Sequence, residues 1–223
     1  MDSLAYLHLQ LGLEGKGLGG ENTIRQVQVV PGEELPLLLL AQLADQKLVA
    51  YYSEALPPSL QTKLSASISS IEFPEITPIL AVLKSHNIRS DIGHYKTYLF
   101  PLQIGTNPEV ICLSKHDPKA KAFGFDGFAE HVYAIEREGR IISACVSVRE
   151  DQNCGEAWVY TDPAYRRRRL AKKVVSTWAH SLLSVGKVPF YSHKIGNDAS
   201  ARLAQALQLP PVFEEISITE RVS

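Results

Sequence analysis

Residues Thr161 to Ala179 read TDPAYRRRRLAKKVVSTWA, with four arginines in a row from Arg166 to Arg169. The residues just before, EAWVYT from Glu156 to Thr161, have strand character and are stopped by Pro163. Downstream, apolar residues fall at Leu170, Val174, Val175, Trp178, Leu182 and Leu183, the spacing of a helix covering Arg169 to Val185. A strand, a turn and a helix in that order converge backbone N–H groups on one point. The first-turn amides lack intrahelical acceptors, and the helix dipole adds partial positive charge. The arginine run is thus open to three readings: a nucleic-acid patch, a solvated helix start, or a cradle for a phosphorylated ligand. Cations at a helix N-terminus oppose the dipole, and a polyphosphate placed there relieves the conflict.

Working outward, GEAWVYTDP is preceded by EHVYAIEREGRIISACVSVRE, Glu130 to Glu150, two alternating strands about a Glu-Gly-Arg turn. NPEVICLSKHDPKAKAFG holds a short strand and then Asp117-Pro118, an N-cap and first helical residue. After the helix come a strand in KVPFYSHKI, a helix in NDASARLAQALQ with Asn197 as N-cap, and a last strand in PVFEEISITE. The first half reads differently. Alternating leucines at Leu7, Leu9 and Leu11 suggest a short strand before a glycine-rich loop, and three helices are expected at Glu33–Tyr52, Pro58–Ile71 and Pro74–Asn87. A strand, HYKTYLFP, ends at Pro101. Texture changes near residues 101–108, giving an expected mainly helical segment over 1–105 and an α/β domain over 106–223.

The sequence VYTDPAYRRRRLA resembles the acetyl-CoA signature of the GNAT superfamily of N-acetyltransferases, Arg/Gln-x-x-Gly-x-Gly/Ala after a strand. Arg166 takes the first position and Ala171 the last. NDASARLAQAL resembles the second cofactor motif, and the order of elements from Val110 to Glu220 follows the family. One departure stands out: Arg169 occupies the central glycine's place. The resemblance implies a mixed central sheet flanked by helices and transfer of an acetyl group from acetyl-CoA to an amine, with no metal. It further implies that Arg166, Arg167, Arg168, Arg169, Leu170 and Ala171 hold the pyrophosphate. Val159, Tyr160 and Thr161 would hold the acyl carbonyl and pantetheine through their backbone, and Asn197 and Ser200 would contact the cofactor. A tandem second copy of the fold in the first half is a lesser alternative.

The chemistry asks for a neutral amine, a polarised carbonyl and a proton for the departing thiolate. Glu156 is the candidate base. For the acid, many family members have a tyrosine where this chain has Ala204, and Tyr191 on the preceding strand is the nearest substitute. Glu156 also fits a strand-start carboxylate, Tyr191 a packing residue, and Asn197 an N-cap without a ligand. Tyr51, Tyr52, Tyr95 and Tyr98 fit either a substrate pocket or packing. Cys112 lies four residues before His116, but no second pair completes a zinc ligand set, and no His-Asp pattern makes Cys154 a nucleophile.

Composition narrows the partners. A net charge of −1 speaks against a chain-wide polyanion binder, so nucleic acid is the weaker reading of the arginines. Three cysteines form neither a disulfide framework nor a CxxC pattern, which suits the cytoplasm. The start, MDSLAYLHLQ, lacks a signal peptide's basic and apolar regions, and the longest apolar run, Leu35 to Ala44, is too short for a bilayer. The expected partner is a small-molecule or peptide amine, with homodimerisation left open. A CoA-binding or regulatory module without catalysis is the alternative from another class.

Overall fold

The computed structural model describes residues 2–221 apart from positions 21, 126, 128 and 129. Contacts divide the chain into two units, Met1–Lys96 with Val212–Ser223, and Thr97–Pro211. The expected division near residue 105 falls instead between Lys96 and Thr97, and the last strand groups with the first unit. Its residues pair with an N-terminal strand from Phe213↔Leu43 to Ile218↔Leu38.

The second unit carries β6 (Ile111–Ser114), α4 (Pro118–Ala122), β7 (His131–Arg137), β8 (Arg140–Glu150) and β9 (Cys154–Thr161). A single 3₁₀ turn at Pro163–Tyr165 leads to α5 (Leu170–Ser184), β10 (Val188–Lys194) and α6 (Asp198–Leu207). The strand order is β10-β9-β8-β7-β6. The pairs β6–β7, β7–β8 and β8–β9 are antiparallel and β9–β10 is parallel, so the sheet is mixed, as expected. Glu138 and Gly139 both take positive φ, the backbone of a tight turn between twisted strands, so the EGR signal was read correctly. Asp117 caps α4 by accepting from the Lys119 amide at 2.8 Å, with Pro118 in the first position.

Helix α5 packs on this sheet through most of the residues its periodicity singled out, with Ala179 in place of Leu183. Leu170, Val174, Val175, Trp178, Ala179 and Leu182 are buried with Ile142, Cys145, Tyr191 and Ala204. Trp178 anchors the layer: its indole N–H donates to Ser147 Oγ at 2.9 Å, and its ring meets Phe100 edge-on. Truncating a buried Trp of this kind costs about 3–5 kcal/mol. The opposite face of the sheet carries a second cluster, with Phe125, Val132, Ala134, Ile141, Ala144 and Val146.

The first unit contains α1 (Ser3–Leu13), β1 (Lys16–Gly20), β2 (Thr23–Gln26), β3 (Leu38–Leu43), β4 (Leu48–Ser53), α2 (Pro58–Ile68) and α3 (Thr77–Ser85). It also holds most of β5 (Ser90–Leu99) and of β11 (Pro211–Glu220). The segment is therefore mixed rather than mainly helical. Residues 33–52 were expected to form one helix; instead β3 and β4 are an antiparallel hairpin registered from Leu38↔Tyr52 to Gln42↔Leu48. Leu38, Leu39, Leu40 and Ala41 are fully buried, so this strand is covered on both faces and its apolar run hides the twofold period. The expected strand near Leu7 is instead helix α1, capped by Asp2, whose carboxylate accepts from the Ala5 amide at 2.8 Å. Tyr51 and Tyr52 are buried: one bonds His8 Nε2 through its hydroxyl, the other Ser65 Oγ.

Candidate functional site

The parallel ladder of β9 and β10 runs from Cys154↔Val188 to Glu156↔Phe190 and ends there. Residues Ala157–Thr161 of β9 and Tyr191–Lys194 of β10 lie beyond that last pair. On its other side β9 stays zipped to β8 as far as Thr161↔Ser143. The freed edge of β9 therefore faces away from β8, and it holds the three residues expected to hold the acyl carbonyl and pantetheine, Val159, Tyr160 and Thr161. The strand end is tied down by hydroxyls: Ser143 Oγ donates to the Tyr160 carbonyl at 3.0 Å and lies 2.8 Å from Thr161 Oγ1.

The arginine turn follows directly. Asp162 accepts from the Ala164 amide at 2.9 Å and starts the 3₁₀ turn. Arg166 folds back, its Nε donating to the Thr161 carbonyl at 3.2 Å. Arg168 lies over the Tyr165 ring, 5.2 Å from its centroid. Arg167 and Arg169 both have positive φ, 63° and 60°. Arg169 is the N-cap of α5 with φ 60° and ψ 16°, the left-handed conformation that glycine adopts without strain. The departure from the family pattern thus changes the side chain and leaves the glycine-type backbone in place, at a cost of about 1–2 kcal/mol. Arg169 makes no side-chain cap, so the first-turn amides of α5 point outward without one. All four arginines are exposed, and none pairs with a carboxylate among the described residues. Unneutralised cations beside a positive dipole end, with no side-chain cap on the helix, fit a polyanion such as a pyrophosphate.

The remaining expected residues are distributed as follows. Leu170 is buried under the turn, and Ala171 begins α5 beside it. Asn197 caps α6, accepting from the Ser200 amide at 3.2 Å. The Tyr191 hydroxyl donates to the Ser200 carbonyl at 3.4 Å, and burial pushes its pKa up to about 12. Glu156 is buried at the closed end of β9 and forms an ion pair with Arg149, whose Nε donates at 3.1 Å. Five residues of strand separate it from Thr161, about 17 Å. The structure therefore brings the turn and the strand end together and leaves Glu156 at the far end of the strand.

Two groups escaped the sequence reading. Trp158 and Tyr160 share a face of β9, with nearly parallel rings 6.4 Å apart. Phe123 meets Tyr160 and Phe125 meets Trp158 edge-on, forming an aromatic wall on the face opposite α5. Arg149 pairs with Glu156 across the β8–β9 hairpin, a relation visible only once the register is known. Among the described residues, no three or more His, Cys, Asp or Glu side chains are grouped to hold a metal ion, and no helix is long and apolar enough to cross a membrane.

The parting of parallel strands in front of a helix N-terminus without a side-chain cap defines the class: a mixed α/β fold with a strand divergence beside a cationic turn. Residues 125–210 match the family model described as GNAT acetyltransferase. An acetyltransferase of the GNAT family from Colwellia psychrerythraea has a similar fold (TM-score 0.51, 11% identity, 86% of this chain and 84% of that one). A protein assigned to the GNAT family from Novosphingobium aromaticivorans is also similar (TM-score 0.49, 18% identity, 60% and 68%). No curated protein matches the sequence.

Proposed function

We propose that the protein takes the acetyl group from acetyl-CoA and passes it to an amine of a small molecule or peptide by direct attack. The observation that carries this reading is Arg169, which adopts the glycine-type conformation at the uncapped start of α5, directly after the freed edge of β9. In this reading the amides from Arg167 to Ala171 and the four guanidinium groups hold the pyrophosphate. Backbone groups of Val159, Tyr160 and Thr161 hold pantetheine and the acyl carbonyl, with Asn197 and Ser200 near the cofactor. The acceptor approaches the wall of Phe123, Trp158 and Tyr160. All three cysteines are free thiols, two of them buried, which supports action in the reducing cytoplasm.

Calorimetry with acetyl-CoA, run beside an assay of coenzyme A release over a panel of primary amines, tests the reading. Binding with amine-dependent release is expected. A second reading, a CoA-binding protein without turnover, is favoured by two observations: Glu156 is held in a buried ion pair, and the Tyr191 hydroxyl lies against a backbone carbonyl. Tight binding with no release on any amine would favour it.

A further inference from the structure

Two side chains that the expected mechanism leaves unused, Tyr98 and His193, meet in the second unit. Tyr98 Oη lies 3.2 Å from His193 Nε2, and the two rings stack at 5.5 Å with an interplanar angle of 23°. The other ring nitrogen, Nδ1, lies 3.0 Å from the Lys194 carbonyl oxygen. A carbonyl only accepts, so in the neutral ring Nδ1 carries the hydrogen and Nε2 carries the lone pair. The Tyr98 hydroxyl must then donate to Nε2. The phenol is polarised towards a base, and a hydroxyl oxygen that donates keeps lone pairs with which to accept.

The location is equally specific. Extending the ladder three residues past Glu156↔Phe190 brings His193 level with Val159, on the open stretch of both strands. Val159 packs on the cluster that holds Tyr191, and Tyr98 packs on the same cluster. Odd positions of β9 and β10 thus project towards α5 and α6, and His193, two residues after Tyr191, follows them. Its imidazole is buried, at 7% exposure, while Tyr98 is half-buried. The tyrosine, on β5 next to β10, is the more exposed of the two.

We propose that Tyr98 and His193 handle the proton of the transfer, Tyr98 as the catalytic residue at the reacting atoms and His193 as the residue behind it; this rests on the acetyl-transfer reading above. As the neutral amine's nitrogen bonds to the thioester carbonyl carbon, its surplus proton passes to the Tyr98 oxygen while Tyr98's own proton moves to His193 Nε2. The C–S bond breaks and its electron pair leaves on sulfur. The imidazolium, held by the Lys194 carbonyl, returns its proton through Tyr98 to the thiolate. Amide and thiol result, with both residues restored. No other reactant is needed.

Nitrogen-15 imidazole NMR on the full chain, titrated with acetyl-CoA and paired with calorimetry, tests this. The expected result is a His193 signal of the Nδ1–H tautomer that shifts at saturation and whose Nε2 resonance moves in Tyr98→Phe, a variant that keeps the stacked ring. An Nε2–H tautomer overturns the pair, as does a signal unmoved while calorimetry records binding; either leaves acetyl-CoA binding standing. Calorimetry without binding overturns the acetyl-transfer reading and the pair's role with it. On any amine the wild type acetylates, Tyr98→Phe should lower kcat by about a hundredfold, with KM for acetyl-CoA unchanged. A kcat within about twofold of wild type would count against the pair.

Discussion

Phe190 pairs with Glu156 as the last rung between β10 and β9, so the strands part immediately after the buried ion pair of Glu156 and Arg149. The charge pair lies at the closed end of the opening. Removing one member strands the other in a buried site. Arg149→Met should lower the unfolding free energy by about 3 kcal/mol or more, read from urea midpoints. Glu156→Gln should lower stability while changing kcat, on any amine that is turned over, by less than about tenfold. A larger loss of kcat with unchanged stability would return Glu156 to the role of base.

Arg169 tests the backbone of the turn separately from its charge. Glycine relieves the left-handed strain but adds unfolded-state entropy of about 0.5–1 kcal/mol, so Arg169→Gly should lie within about 1 kcal/mol of wild type, on the stabilised side. A β-branched residue tolerates this φ poorly, and Arg169→Val should destabilise by about 1–2 kcal/mol. Thermal and urea unfolding of the two variants check the contrast.

Two buried groups set the alkaline limit. Burial pushes the Cys154 thiol from its ordinary 9 up to about 12, with Asp151 adding to the shift, and pushes Tyr191 from 10 to about 12. A raised folded-state pKa contributes stability that is complete below the unfolded value and is lost as pH rises through the folded one. Unfolding free energy should therefore fall between pH 9 and 12, by about 1.4 kcal/mol per pH unit for each group once its unfolded form has ionised. Urea midpoints at pH 8, 10 and 11 should show this slope, shallower in Cys154→Ala and in Tyr191→Phe.

Trp158 is 38% exposed on the aromatic wall, on the face of β9 opposite Val159. Trp158→Ala should raise KM for the amine by about tenfold or more, while acetyl-CoA affinity stays within about twofold, because the cofactor is assigned to backbone groups and to the turn. Steady-state kinetics with calorimetry separates the two constants. Loss of acetyl-CoA binding in this variant would place the wall on the cofactor side.

The second half of the chain was legible because its local signals agree. The Glu138-Gly139 turn, the Asp117 and Asn197 caps and the spacing of Leu170, Val174 and Trp178 all mark the same boundaries. The first half was not, for two physical reasons. A strand buried on both faces, such as Leu38–Leu43, has no alternation to read, and its hairpin turns at Gln46, where φ is positive without a glycine to announce it. The arginine turn was legible as a motif, but its left-handed backbone could not be read from four identical side chains. Tyr98 and His193 lie 95 residues apart; only the sheet brings them together.

A crystal structure of the chain grown with coenzyme A decides whether the turn from Arg166 to Ala171 receives the pyrophosphate of acetyl-CoA. The two bridging phosphates should lie against the amides of Arg167 to Ala171, with pantetheine running along the freed edge of β9 past Val159. Coenzyme A bound elsewhere, with that turn empty, would rule the assignment out.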